Sequence, residues 1–248
     1  MTVTASRLLN GAQVCFVGIG LPSAACNLAR LTHAPDVTLI YESGTIATKP
    51  EVLPLSIGDG ELFSTALTTV SVPEIFRYWL QGGRISVGFL SGAQIDRFAN
   101  LNSTAIGRYA RPDVRLPGAG GAPEIAAHCG EVFIIMQQSK RAFVSELDFL
   151  TTFGHGRGTD DRLRHGFTTH GPTCLVTDLC VMRPDPESRE LVVRSLHPGV
   201  TRERASAATA WPLRFADELE ETPAPSTAEL DVLRDLLART DRAHGGQG

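Results

Sequence analysis

No stretch of this 248-residue chain approaches the roughly 18 consecutive apolar residues that a membrane helix requires. Positive charge is also short: 23 Lys and Arg against 27 Asp and Glu leave a formal net charge of −4. That balance argues against nucleic acid or an anionic membrane surface as a partner. There are five cysteines (Cys15, Cys26, Cys129, Cys174, Cys180), an odd number, and none forms a C-x-x-C pair. Buried, reduced thiols are expected, which together with an N-terminus lacking the layout of a signal peptide points to the cytoplasm. No G-x-S-x-G elbow and no Walker phosphate loop is present. The seven histidines show neither an i,i+4 pair nor a cysteine at ligand spacing, so no metal site is expected. No internal repeat and no clean boundary divides the chain, which is read as one domain over 1–248. A Pro/Thr linker and helix (222–243) form part of it.

What is present is an ordinary globular composition, 42% hydrophobic and 20% charged. The order of elements predicts an α/β protein with an open, mainly parallel sheet flanked by helices. Gln13–Val17 reads as a buried strand opening into Gly18-Ile-Gly-Leu-Pro-Ser23, then a helix to Leu31. Val37–Tyr41 reads as the next strand, and β-loop-α-β crossovers make parallel pairs. A helix over Val72–Leu80, strands at Arg84–Leu90, Glu131–Met136, Ala142–Val144, Cys174–Thr177 and Leu191–Leu196, and a helix near Thr201–Thr209 follow. The polar segment from Gly154 to Gly171 reads as a mobile surface excursion, with His155 and His197 the better candidates for a pocket wall. The last helix opens with a capping box, Ser226 and Glu229, and sets Leu230, Leu233 and Leu237 on one face. The tail Gly245–Gly248 is expected to lack fixed structure.

Chemistry concentrates in three places. Glu42 follows the buried Val37–Tyr41 strand directly and is followed by Ser43-Gly44. Glycine permits a sharp turn or a close approach to a ligand at the strand end, where open α/β sheets carry their reactive groups. A rim carboxylate paired with Lys49 accounts for the same pattern. Gly18-Ile-Gly20 has the start of a dinucleotide fingerprint, but Ser23 occupies the third glycine position and Glu42 is the one candidate for a ribose-binding acid. A tight strand-to-helix turn explains it equally. Gly118-Ala-Gly-Gly121 lies between a strand and a helix and exposes backbone N–H groups suited to an anion or a developing oxyanion. The alternative is a loop squeezed between packed elements.

Taken in order, Gly18–Pro22, Tyr41-Glu-Ser-Gly44, Lys49-Pro50, Leu53–Gly58, Phe76–Arg84, Leu116–Glu124, Thr177–Cys180 and Ser195–Thr201 resemble the β subunit of class I CoA-transferases. The resemblance spans nearly the whole chain. It implies the CoA-transferase superfold, also that of sugar-phosphate isomerases, and a glutamate nucleophile at Glu42 that forms a glutamyl-CoA thioester. It further implies CoA or substrate contacts from Gly18, Gly20, Gly44, Gly118, Gly120 and Gly121. Coenzyme A would enter as a substrate, with no other cofactor and no metal. The implied reaction moves CoA from a donor such as succinyl-CoA to a 3-oxo acid such as 3-oxoadipate, in aromatic-compound catabolism. The alternatives are a CoA-thioester or ring-opening hydrolase subunit on the same fold, and a non-catalytic metabolite sensor. Hydrolase look-alikes depart from the E-S-G motif, and sensors carry a helix-turn-helix that the first 12 residues leave no room for. One departure stands out: relatives have glycine then alanine where this chain has Ala47-Thr48. The G-x-G-G-F motif of the α partner is absent here, so an α subunit is expected as partner.

Overall fold

The structure, a computed structural model, describes residues 1–245, and the rest of the glycine-rich tail lies outside them. The chain forms two compact units, one built from residues 1–89 and 225–248, the other from 90–224.

The first unit contains α1 (Thr2–Ser6), β1 (Val14–Phe16), α2 (Leu21–Leu31), β2 (Thr38–Ile40), β3 (Thr45–Ile46), α3 (Gly60–Ser64), β4 (Thr68–Thr69), α4 (Val72–Glu74) and β5 (Val87–Leu90). The strand order is β5-β1-β2-β3-β4. The inner strands are parallel, with Phe16 opposite Ile40 and Cys15 opposite Val87, and β3 and β4 add antiparallel partners. Cys15, Phe16, Leu39, Ile40, Val87 and Phe89 are all buried, as strands covered on both faces should be. The buried side of α2 is largely small (Ala24, Ala25, Cys26, Ala29), and Leu28 supplies the bulk. Beyond α4 the helix expected to continue over 75–80 is instead a π-helix, Ile75–Leu80. Its last turn closes with Gln81 N–H on the Phe76 carbonyl at 2.8 Å, and Gly82-Gly83 ends it.

The C-terminal helix, Thr227–His244, also belongs to this unit, and its Ser226/Glu229 capping box forms as expected. Glu229 additionally accepts both forks of Arg7 at 2.7 and 2.6 Å, tying the helix to the end of α1. Burial corrects one assignment: Leu236 is the residue fully buried from this helix, whereas Leu237 is exposed.

The second unit holds two short hairpins, β6 (Gln94–Ile95) with β7 (Leu101–Asn102), and β8 (Ala105–Arg108) with β9 (Arg111–Arg115). They are followed by α5 (Ala122–His128), β10 (Glu131–Ile135), α6 (Asp161–Arg164), β11 (Pro172–Val176), β12 (Cys180–Pro184), β13 (Leu191–Leu196), α7 (Arg202–Ala207) and β14 (Arg214–Glu221). The strand order is β10-β11-β12-β13-β14, parallel for the outer pairs and antiparallel between β11, β12 and β13. Residues 142–144 do not form a strand; Phe143 makes a single bridge to Ile95. The segment 154–171 is not a loose excursion either. Arg162 is buried, and its guanidinium donates to the carbonyls of Ala126, Phe153, Gly154 and Thr169, which pins the segment down. All five cysteines are buried thiols, and no disulfide joins any of them. No helix among the described residues is long and apolar enough to cross a membrane.

Candidate active site

Glu42 leaves β2 through a tight turn. The Tyr41 carbonyl accepts from Gly44 N–H at 3.0 Å, and Tyr41 N–H donates to the Thr45 carbonyl at 3.1 Å. Glu42 and Ser43 are therefore the two central residues of a β-turn, with glycine following them in the position such turns favour. Gly44 has φ +98°, and a β-carbon there would lie 1.9 Å from the carbonyl oxygen of Val70. Only glycine fits, because β4 runs directly against the turn: Val70 N–H donates to the Gly44 carbonyl at 2.9 Å. The residue before the glutamate is fixed as firmly. Tyr41 is fully buried, with its hydroxyl 2.9 Å from Ser23 Oγ and 3.4 Å from Asn27 Nδ2, both on α2. Burial pushes the Tyr41 phenol well above its ordinary value, so it stays a neutral hydrogen-bonding group.

Glu42 itself is half-buried. On either side of the Glu42–Gly44 turn, the hydroxyls of Ser43 and Thr45 are buried and find no hydrogen-bond partner within the described chain. Buried polar atoms in that condition are uncommon and cluster where chemistry or a ligand is accommodated.

Parallel pairing brings the first glycine turn to the same sheet edge. Phe16 lies opposite Ile40, and Val17 N–H extends the ladder to the Ile40 carbonyl at 2.9 Å, so Gly18 and Glu42 each follow the carboxyl end of neighbouring strands. Gly18 is tightly packed: a β-carbon would meet the Phe89 carbonyl oxygen at 3.3 Å and Pro22 at 3.4 Å. Gly20, at φ +82°, caps α2 and has open space beside it. The structure thus gathers Gly18, Gly20, Glu42 and Gly44 within the first unit.

The Gly118–Gly121 loop belongs to the second unit. Gly118 is locked by Ser103, whose carbonyl accepts the Gly118 N–H at 2.9 Å and whose hydroxyl donates to the Gly118 carbonyl at 2.8 Å. Its N–H is therefore engaged. The N–H groups of Ala119, Gly120 and Gly121 have no partner among the described residues, and they are the donors this loop retains.

Two features escaped sequence reasoning. The Tyr41–Ser23–Asn27 network links three polar residues from segments that read simply as strand and helix. Ala47 takes φ +52°, a left-handed conformation that suits glycine. The departure from glycine at this position therefore falls on a strained residue. The following Thr48 is buried, and its hydroxyl donates to the Leu62 carbonyl at 2.9 Å. Among the histidines, His155 is 3% exposed, lines a cavity, and has Nε2 2.7 Å from the Pro172 carbonyl oxygen. Burial lowers its ring to about 4, so it is neutral at pH 7. His197 is half-buried against the Thr177 carbonyl and also lowered by burial. Among the described residues no group of three or more His, Cys, Asp or Glu side chains is placed to hold a metal.

Comparison with known proteins gives this geometry a context. The Coenzyme A transferase family matches residues 1–208. The β subunit of the 3-oxoadipate CoA-transferase of Pseudomonas knackmussii is 61% identical over all of this chain and 95% of its own. The β subunit of the glutaconate CoA-transferase of Acidaminococcus fermentans is 32% identical over 92% of this chain and 88% of its own. The crystal structure of that glutaconate enzyme superposes with a TM-score of 0.90, covering 97% of this chain and 94% of the matched one at 29% identity. More distant is the cholesterol ring-cleaving hydrolase IpdB subunit of Rhodococcus jostii, 26% identical over 88% of this chain and 81% of its own.

Proposed function

Because the chain belongs to the coenzyme A transferase family, we propose that it is the glutamate-bearing subunit of a transferase moving CoA from a donor such as succinyl-CoA to 3-oxoadipate. The 61% identical relative supports the choice of acid. The observation that carries the reaction is Glu42 on a turn that glycine at 44 and the buried Tyr41 hold rigid.

The chemistry follows from what a carboxylate must do to receive a thiol. Glu42 attacks the thioester carbon of the donor, the C–S bond breaks, and the products are an acyl-glutamyl anhydride and CoA thiolate. The thiolate then attacks the glutamyl carbonyl of that anhydride, expelling the donor acid and leaving a glutamyl-CoA thioester. The acceptor carboxylate repeats both steps in reverse, which restores Glu42 and releases the new acyl-CoA. No net hydrolysis occurs, so a carboxylate of modest nucleophilicity serves if it is held in line and the tetrahedral oxyanions meet fixed donors. Gly18, Gly20, Gly44, Gly118, Gly120 and Gly121 are proposed to contact the thioester substrate through their backbone. The loop's donors would be the free N–H groups from Ala119 to Gly121. Coenzyme A is the substrate and no other cofactor is called for.

A glutamyl thioester exposed to water would hydrolyse, so the reaction needs a second wall. An α subunit is proposed to supply it. Exposed Leu55, Ile57, Phe63 and Leu67, the last 81% accessible, are candidate contacts for it in the first unit. Buried thiols without a disulfide support a reducing, cytoplasmic setting. The test is an exchange assay on the chain co-produced with its α subunit, across a panel of acyl-CoA donors and acids. Exchange with 3-oxoadipate, and none by the isolated chain, is expected. Thioester hydrolysis without exchange would move the assignment to a hydrolase.

A further inference from the structure

The acidic chain concentrates positive charge in one place. The β8–β9 hairpin, residues 105–115, carries Arg108, Arg111 and Arg115 against the single acid Asp113, so its charge is 3 − 1 = +2 in a protein of net −4. All three arginines are exposed, and none takes part in an ion pair among the described residues. The hairpin and the loop after it border a cavity of about 490 Å³, which is within the range of small-molecule pockets. Its walls include Tyr109, Phe149, Arg115, Thr151 and the backbone of Gly118 and Ala119, and no carboxylate lines it.

The wall is built in an unusual way. Tyr109, although 56% exposed, is stacked on Phe149 with ring centroids 5.0 Å apart and planes 27° apart. The guanidinium of Arg115 lies 5.0 Å from the Tyr109 ring centroid and keeps one long hydrogen bond, 3.4 Å, to the Tyr109 carbonyl. An arginine so weakly held exchanges an aromatic face for a phosphate oxygen at little cost, because the charge-assisted bond to phosphate is the stronger one. That movement leaves the Tyr109 ring open to a flat heterocycle, for which an aromatic ring is a tolerant stacking platform. An aromatic platform, arginines without counter-ions and a free N–H at Ala119 meet in one cavity, and together they match a nucleotide bearing more than one phosphate.

We propose that this cavity is the subsite for the nucleotide end of coenzyme A, with the adenine packed on Tyr109 and Phe149 and the phosphates held by Arg115 and its neighbours on the hairpin. The proposal rests on the transferase reading above. It would give remote binding energy to a substrate whose reacting atom is at the other end, the kind of energy that enzymes use to drive the chemical step.

Two measurements test it. Calorimetry on the full chain with adenosine 3′,5′-bisphosphate should give saturable binding that Arg115→Ala weakens about 10- to 100-fold, the range for losing a hydrogen bond to a charged group. Tyr109→Ala should weaken it as well. Adipate, titrated in parallel, should show no Arg115-dependent binding. In the assembled enzyme, Arg115→Ala should lower the ratio of kcat/KM for an acyl-CoA to that for the same acyl-pantetheine by a similar factor. Unaltered bisphosphate binding in both variants overturns the proposal, as does Arg115-dependent binding of adipate, which would make the pocket a carboxylate site. Should the wild-type assembly exchange no thioester at all, the transferase reading fails, while the calorimetry still reports separately on the pocket.

Discussion

Replacing Gly44 with alanine tests the rigidity of the turn that presents Glu42. The added β-carbon starts 1.9 Å from the Val70 carbonyl oxygen, where real contacts stay beyond 3.0 Å, so turn and β4 must separate by about 1.1 Å. The backbone conformation, φ +98°, adds a penalty of at least about 1–2 kcal/mol for a residue with a side chain. If β4 yields, the 2.9 Å bond from Val70 N–H to the Gly44 carbonyl is lost at about 1 kcal/mol more. If the turn yields, Glu42 moves by about 1 Å, and misplacement of that size costs on the order of 100-fold in rate. The expected result is therefore a variant destabilised by roughly 2–3 kcal/mol, or one that transfers CoA about 100-fold more slowly, or a mixture of the two. Thermal melting and steady-state exchange on the assembled enzyme separate these. A Gly44→Ala protein with wild-type melting and wild-type kinetics would refute the steric argument.

Three further outcomes follow from the same geometry. Ala47→Gly should raise stability, by up to about 1 kcal/mol, because it relieves the left-handed strain at φ +52° at the smaller cost of a freer unfolded chain; urea denaturation measures it. His155 titrates near 4 when folded against 6.5 for a free ring, so its contribution is complete above pH 6.5 and is lost as pH falls through 4. That loss amounts to at most about 3 kcal/mol, and His155→Gln, which keeps a donor for the Pro172 carbonyl, should flatten the fall in urea midpoint over this window. Arg7 holds the Glu229 carboxyl down to about 2 through their hydrogen bonds, so that contribution is present above pH 4.5 and disappears as pH falls through 2. Arg7→Ala should increase hydrogen exchange in the C-terminal helix near Ser226 at pH 7 and have little effect below pH 2.

The parts of the fold legible in the sequence were those whose burial leaves a continuous apolar signature. The segments 14–16, 38–40, 131–135 and 191–196 are strands buried by neighbours on both sides, and their residues say so without tertiary knowledge. The Ser226/Glu229 cap was equally readable, because its chemistry is local. By contrast β14, Arg-Phe-Ala-Asp-Glu-Leu-Glu-Glu, is an edge strand with charge on its open side, and nothing in its composition signals a ladder. The segment 154–171 looked mobile because it is polar, yet Arg162 is buried by carbonyls from distant residues, a pairing no local pattern reveals. On the C-terminal helix, the 3.6-residue period left Leu236 and Leu237 as near neighbours, and only packing chose between them. At the site, the motif around Glu42 was visible, but its mechanical supports were not. The contact of Gly44 with Val70 and the tie between Tyr41 and α2 both depend on chain segments meeting from a distance.

The claim on which the account depends is that Glu42 becomes covalently bonded to CoA. The assembled transferase, incubated with a donor acyl-CoA and no acceptor acid, should accumulate the thioester, and peptide mass spectrometry should find CoA on Glu42. In Glu42→Ala the adduct and the exchange activity should both be gone. Glu42→Asp, with its carboxylate drawn back by about one bond, should retain about 1% of the activity. A CoA adduct on another residue, or undiminished exchange by Glu42→Ala, would contradict the account.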